Sequence, residues 1–172
     1  TYTYLVYENY IDSMAGAQVL ENAIDRLLTE PTPEALRNAR AAWLSSRESY
    51  GQTEAFRFYG GPIDYFDEEE GLEGPEGRMN AWPLDEAYID YVVGNPSAGI
   101  INDASILLTL DGILSRNQTD DDRNVSTGYH AIEFLLWGQD TSRETAGTRP
   151  FTDFLAGSSA NDRRRLYIKL IM

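Results

Sequence analysis

The residues of this sequence best suited to chemistry are a histidine and a glutamate within one short apolar segment, GYHAIEFLLW. His130 and Glu133 stand three residues apart, so on a helix both side chains leave the same face, within reach of one cation or of each other. Their neighbours are apolar around the whole helix, which is typical of a buried helix. A buried ionised carboxylate is costly unless it is paired, hydrogen-bonded or bound to a metal. The sequence must therefore provide this pair with a partner.

Three kinds of partner fit the pair. The two side chains could satisfy one another or bond an arginine, in a buried polar network of no chemical consequence. A metal ion could be completed by further carboxylates. The imidazole could instead act as a general acid or base that a carboxylate orients. The arginines available for the network are Arg47 and Arg57, and the carboxylates available for a metal are Glu54, Glu86 and Asp85.

The inventory of ligand types restricts the metal. His130 is the only histidine and the chain has no cysteine, so a three-histidine zinc site within this chain is excluded. The HExxH helix of zinc peptidases is also absent. One imidazole with two or three carboxylates suits iron, manganese or calcium at least as well as zinc. Nucleophilic catalysis has no support, because there is neither a thiol nor a Gly-x-Ser-x-Gly elbow.

The overall charge excludes some partners. The chain has 14 Lys and Arg against 28 Asp and Glu, a formal net charge of -14, so it would repel nucleic acid and anionic membranes. No segment approaches the roughly 20 apolar residues of a membrane span, and no signal segment opens the chain. The sequence stops at Met172 within a helical pattern, without a stop signal, which favours a fragment of a longer protein.

The N-terminal part of the sequence has the apolar periodicity of α-helices. A long amphipathic helix is expected from Tyr4 to Leu27, and Thr32 followed by Pro33 predicts the N-cap and first residue of a second helix. The apolar face of that helix, continued past Gly51, would place Glu54 and Arg57 near the core. The apolar face consists of Leu36, Ala39, Trp43 and Tyr50.

The rest of the chain predicts more helices joined by irregular loops. Residues 60–83 are Gly- and Pro-rich and too long for an ordinary connection, so they form either a functional or a disordered loop. Strand-like alternation is absent, which favours an all-α bundle of four or more helices. The further helices are expected from Pro83, over 100–114 with an interruption at Asp111 and Gly112, over 126–137, and from Ser159.

Three blocks in order resemble the imelysin family, also called M75 peptidase-like or iron-regulated imelysin-like proteins. The family signature GxHxxE stands as Gly128, His130 and Glu133, and the blocks are AWLSSRESYGQTEAFRF, GRMNAWPLDEAYIDY and NVSTGYHAIEFLLWGQD. The resemblance covers about residues 2–172. It implies two helical-bundle halves with the signature near the cleft between them. Residues 1–158 would form the N-terminal bundle, and 159–172 would begin a second half whose remainder is a partner outside this chain.

The resemblance also implies a site and a function. The implied metal ligands are His130, Glu133, Glu54 and Glu86, with Asp85 and Arg57 as further candidates. The implied function is an extracytoplasmic metal-binding protein of iron acquisition, at the periplasm or outer membrane, with components of iron uptake as partners. Iron is the favoured metal and zinc the alternative. Two other functions stay open, an M75-type metallopeptidase and a metal-free ligand-binding or interaction bundle, so enzymatic activity is undecided.

Overall fold

The computed structural model describes residues 1–70 and 72–172, and in this part of the chain the fold is all-α, which confirms the predicted class. The α-helices are α1 (Tyr2–Thr29), α2 (Pro33–Gln52), α3 (Glu76–Met79), α4 (Glu86–Ile89), α5 (Gly99–Asn102), α6 (Leu110–Leu114), α7 (Gly128–Trp137) and α8 (Ser159–Ile171). The 3-10 helices are Thr53–Phe56 and Phe151–Phe154, and the antiparallel strands are β1 (Phe66–Asp67) and β2 (Leu72–Glu73). Within these residues, none of the helices combines the length and the apolar character that crossing a bilayer requires.

The two long helices α1 and α2 form a hairpin whose connection is set by local capping. The Thr32 hydroxyl accepts a hydrogen bond from the Ala35 amide at 3.1 Å, and Pro33 occupies the first position of α2. Thr32 satisfies one of the free amides of the first turn, and Pro33 has no amide hydrogen to leave unpaired. The predicted start of α2 is therefore confirmed. Its apolar face packs against Leu20, Ile24 and Leu27 of α1 in the core.

Helices α7 and α8 complete the same core. Five of the ten residues of α7 are buried, and α8 buries Tyr167 and Ile168. The Tyr167 hydroxyl donates to the Ser126 carbonyl at 2.8 Å, which ties α8 to the segment just before α7. Helix α8 thus packs on the helices that precede it, and its assignment to a second helical half stays a prediction.

The middle of the chain departs from the predicted helices. Over 100–114 the interruption lies between α5 and α6, and not at Asp111 and Gly112, which are both inside α6. The cause is local capping. The Asp103 carboxylate accepts from the Ser105 amide at 2.9 Å and forms a turn, and the Thr109 hydroxyl caps α6 by accepting from the Gly112 amide at 3.1 Å. In residues 60–83, the described part contains the β1–β2 hairpin and α3, where only a loop was expected.

A buried ion-pair network joins α8 to the residues after α4. The Asp90 carboxylate, which is fully buried, lies 2.6 Å from Arg164 Nε and 2.8 Å from Arg149 Nη1. Burial raises the pKa of Asp90, but the hydrogen bond from Arg164 and the charges of Arg149 and Arg164 outweigh it and leave the pKa below its usual value. The carboxylate is therefore ionised at neutral pH and compensates two buried cations.

We expect Asp90→Asn to lower the free energy of unfolding by about 3–5 kcal/mol at neutral pH, because the buried guanidinium of Arg164 loses its counter-charge and that of Arg149 keeps only Asp153, at 3.0 Å. The contribution of Asp90 is present above its unfolded pKa and is lost as the pH falls through its lowered folded pKa, so the difference should shrink below about pH 4. Urea unfolding at several pH values measures it. The matched control is Lys169→Met, which breaks an exposed pair with Asp25 and should cost less than about 1 kcal/mol.

Candidate functional site

Helix α7, which carries the histidine and glutamate, is held by α2 at both ends. At its first turn the Trp43 indole donates to the Tyr129 carbonyl at 2.9 Å, and the hydroxyls of Ser46 and Tyr129 lie 2.7 Å apart. At its last turn Arg40 Nη2 donates to the Leu136 carbonyl at 2.9 Å, one of the carbonyls that a helix end leaves without a partner. These contacts fix both the position and the rotation of α7.

The glycine of the signature has a structural role. Gly128 begins α7 with a φ of +84°, in the region that favours glycine. A β-carbon at this position would overlap the carbonyl of Met79, the last residue of α3. Glycine therefore allows the start of α7 to lie directly against the end of α3, which brings residues 80–86 beside the histidine.

His130 and Glu133 contact each other, as their spacing predicts. The His130 Nδ1 atom lies 3.2 Å from Glu133 Oε2. Because an ionised carboxylate only accepts hydrogen bonds, Nδ1 must carry the proton, and in the neutral ring Nε2 keeps its lone pair. The expectation that both groups are buried is wrong for the glutamate. The His130 side chain is 17% exposed, but that of Glu133 is 43% exposed, because α7 turns this face toward an open cleft.

The cleft beside α7 has a volume of about 1080 Å³ and is lined by all three tryptophans of the chain. Trp43 is buried and belongs to the core, as expected. Trp82 is 67% exposed, and its ring centroid lies 4.8 Å from that of His130, at an angle of 54°. Trp137 completes the set at the end of α7. The imidazole is thus packed against an aromatic wall and opens on a space large enough for a small ligand.

Glu86 and Asp85 line the same cleft from α4. Asp85 is the N-cap of this helix, and its carboxylate accepts from the Ala87 amide at 3.0 Å. Desolvation by burial raises the pKa of Glu86, against the opposing effect of hydrogen bonds from the Asp140 backbone and the Gln139 side chain.

Glu54 and Arg57 lie outside the cleft. The prediction that both lie near the inward face of α2 is confirmed for Arg57, whose side chain is 9% exposed and whose guanidinium carbon lies 4.7 Å from the ring centroid of Tyr50. It is wrong for Glu54, because helix α2 ends at Gln52 and the tighter 3-10 turn Thr53–Phe56 takes Glu54 out of the helical rows. The Glu54 side chain is 56% exposed and lies 3.7 Å from Arg57. Arg57 pairs more closely with Glu76, at 3.1 Å. Neither side chain lines the cleft that holds His130.

One imidazole and several carboxylates line the same cleft, but they do not lie close together. Across residues 1–70 and 72–172, no three His, Asp or Glu side chains are close enough together to hold a metal ion. Of the four proposed ligands, His130, Glu133 and Glu86 share the cleft and Glu54 does not. The described residues therefore contain no complete ligand set for a metal ion.

Five further polar residues of the cleft were not predicted as site residues. Arg47 lines it from α2, Gln139 and Asp140 line it from the loop after α7, and Asn80 and Arg123 complete the set. Gln139 accepts from the Val93 amide at 2.8 Å and Asp140 from the Ser142 amide at 2.9 Å. The sequence contained signals for Arg47, Gln139 and Asp140. Gln139 and Asp140 directly follow the signature helix, and Arg47 lies one turn after Trp43.

The fold and the cleft define a class of protein: an all-α protein in which a histidine–glutamate helix borders an open, acidic, tryptophan-lined cleft. The sequence matches the model of the imelysin family, Peptidase M75, over residues 6–171. It is also 32% identical over 133 residues to Iron-regulated protein A of Synechococcus elongatus. This alignment covers 77% of the chain but 29% of that relative. The chain belongs to the imelysin family.

The raised pKa of Glu86 gives a stability prediction. Since burial makes the charged form unfavourable, the folded protein bears this cost above the folded pKa of Glu86 and is relieved of it at lower pH. We expect Glu86→Gln to raise the melting temperature of the metal-free protein at neutral pH and to have little effect near pH 3. Calorimetric scans at both pH values measure this. The matched control Asp85→Asn keeps a good N-cap and should not show this pH dependence. An equal rise of the melting temperature in both variants contradicts the view that burial of Glu86 is its cause.

Proposed function

We propose that this protein is an extracytoplasmic metal-binding protein of iron acquisition, acting at the periplasm or outer membrane, with its site on the GxHxxE helix. Two comparisons support a role related to iron: membership of the imelysin family and the similarity to a cyanobacterial protein named for its regulation by iron. The observation that carries the proposal is the contact of His130 Nδ1 with Glu133 at the edge of the cleft.

The geometry of this pair suits a metal-binding histidine. Such histidines commonly donate their second ring N–H to a carboxylate, which fixes the tautomer and orients the ring. Here Nδ1 faces Glu133 at 3.2 Å, so His130 Nε2 is the atom available to a metal. In this arrangement Glu133 orients the imidazole and, being partly exposed, can also offer an oxygen. Glu86 adds a partly desolvated carboxylate from the other side of the cleft.

The donor set is compatible with iron, and the relative named for its regulation by iron favours this metal, with zinc as the alternative. Because the described residues supply fewer than a full set of ligands, the metal needs further oxygen atoms. The chain spans 29% of its relative, and a C-terminal half of the same protein is one source of them. Components of iron uptake are the partners that this function requires.

We expect ferrous iron, or cobalt as its surrogate, to bind the protein in isothermal titration calorimetry and the double variant His130→Ala, Glu133→Ala to abolish binding. Glu133→Gln should weaken binding about 10–100-fold, the usual loss when a carboxylate that orients a metal-binding histidine is removed. The matched control is Glu54→Gln, which changes a carboxylate outside the cleft and should bind normally. Unchanged affinity in the double variant refutes the proposal.

The metallopeptidase function makes a different demand. A peptidase needs a metal with an open coordination position and a general base for its water. The cleft is open and Glu133 is partly exposed beside His130, so this activity requires a direct assay. We expect no metal-dependent peptide hydrolysis from the purified protein. Turnover that disappears in Glu133→Gln, with the fold retained by circular dichroism, would instead establish the peptidase. If neither metal binding nor hydrolysis is found, the metal-free bundle remains.

A further inference from the structure

Arg47 stands out among the polar groups of the cleft because its charge has no ion-pair partner in residues 1–70 and 72–172. Its guanidinium carbon lies 5.4 Å from the ring centroids of both Tyr50 and Tyr129, which hold it as a cation over two aromatic rings. Its Nη1 atom is buried and has no hydrogen-bond partner among the described residues. Arg123, which also lines the cleft, is by contrast paired with Asp121 at 3.0 Å. A buried donor of this kind is costly unless something binds it.

A second unpartnered group lines the same cleft and has the opposite polarity. Asn80 Nδ2 donates to Glu76 Oε1 at 3.2 Å, and since that carboxylate only accepts, the other amide atom must be the oxygen. This oxygen, Asn80 Oδ1, is buried and has no partner among the residues that the structure describes. Both residues line the cleft, and each contributes one of these buried atoms to its wall: a cationic donor from Arg47 and a neutral acceptor from Asn80.

Both residues lie toward one end of the cleft. Arg47 packs on Tyr129 in the first turn of α7, and Asn80 follows Met79, whose carbonyl lies against Gly128 at the start of α7. Glu86 lies near Asp140, beyond the last turn. His130 and Glu133 lie between them on α7. The cleft is thus polarised along α7, with its unpaired cation at the start of the helix and its carboxylates from the middle onward.

We propose that the Arg47 end of the cleft binds a small hydroxycarboxylate anion. The guanidinium would take the carboxylate through paired N–H···O bonds, for which its planar shape is suited. Asn80 Oδ1 would accept from the hydroxyl. Such an anion carries oxygen atoms of the type that the metal site of the proposed function lacks, so its relevance to metal binding rests on that function. The anion site itself is tested without metal.

The test uses malate as the probe, in metal-depleted buffer, and follows tryptophan fluorescence together with titration calorimetry. All three tryptophans line the cleft, so their emission reports its occupancy. We expect malate to bind about three- to tenfold more tightly than succinate, which lacks the hydroxyl. In Asn80→Ala this preference should disappear. Equal affinities for malate and succinate in the unmodified protein overturn the role of Asn80.

Variants of Arg47 test the charge. Arg47→Gln should weaken malate binding by about tenfold or more, because a charge-assisted hydrogen bond is lost. The matched control Arg37→Gln makes the same change at an exposed position of α2 outside the cleft and should leave the affinity unchanged. If Arg47→Gln does not fold, Arg47→Lys replaces it and should show an intermediate loss. Equal affinities in the Arg47 and Arg37 variants, or no malate binding at all, overturn the proposal.

His130→Ala separates this site from the metal site. We expect this variant to lose iron affinity and to bind malate as the unmodified protein does. If iron does not bind the protein but malate binds through Arg47, the proposed function fails and the anion site stands. If iron binds through His130 while malate binding is absent, the proposed function stands and the anion site fails.

Discussion

The contact between α2 and α7 is the constraint on which the site depends. Helix α7 has ten residues, too few to be stable alone in water, so its geometry comes from tertiary packing. Trp43 and Ser46 hold its first turn and Arg40 its last, while Gly128 lets it start against α3. With both ends fixed, rotation of α7 is excluded. His130 and Glu133 therefore face the cleft, while the apolar residues between them enter the core.

Within this frame, the two ion pairs differ in their access to solvent. The Asp90 network has a fully buried carboxylate with two arginines in close contact, and it stabilises the fold. The His130–Glu133 pair has one ring nitrogen bonded and a partly exposed carboxylate, and both residues line the cleft. A ligand that enters the cleft can therefore reach the second pair and not the first.

The sequence predicted what local interactions decide. The start of α2 at Pro33, the start of α8 at Ser159 and the contact of His130 with Glu133 follow from capping and helical spacing alone. Glu54 was misplaced because a single 3-10 turn after Gln52 breaks the helical rows, and no residue type announces it. The approach of Trp82 to His130 depends on the packing of α3 against α7, which is a long-range contact. Hence the centre of the site was predictable and its walls were not.

The net charge of the chain makes the separation of charges in the cleft significant. In a chain of charge -14, an arginine without an ion-pair partner among the described residues is unexpected in a cleft with four carboxylates, since a nearby acid could pair with it. The structure prevents this by packing Arg47 over the rings of Tyr50 and Tyr129 at the start of α7, whereas Glu86 and Asp140 lie near the opposite end. Separated charges in a partly dehydrated cleft attract ions of both signs to different positions. A cation bound together with its own anion satisfies both ends at once, which neither ion does alone.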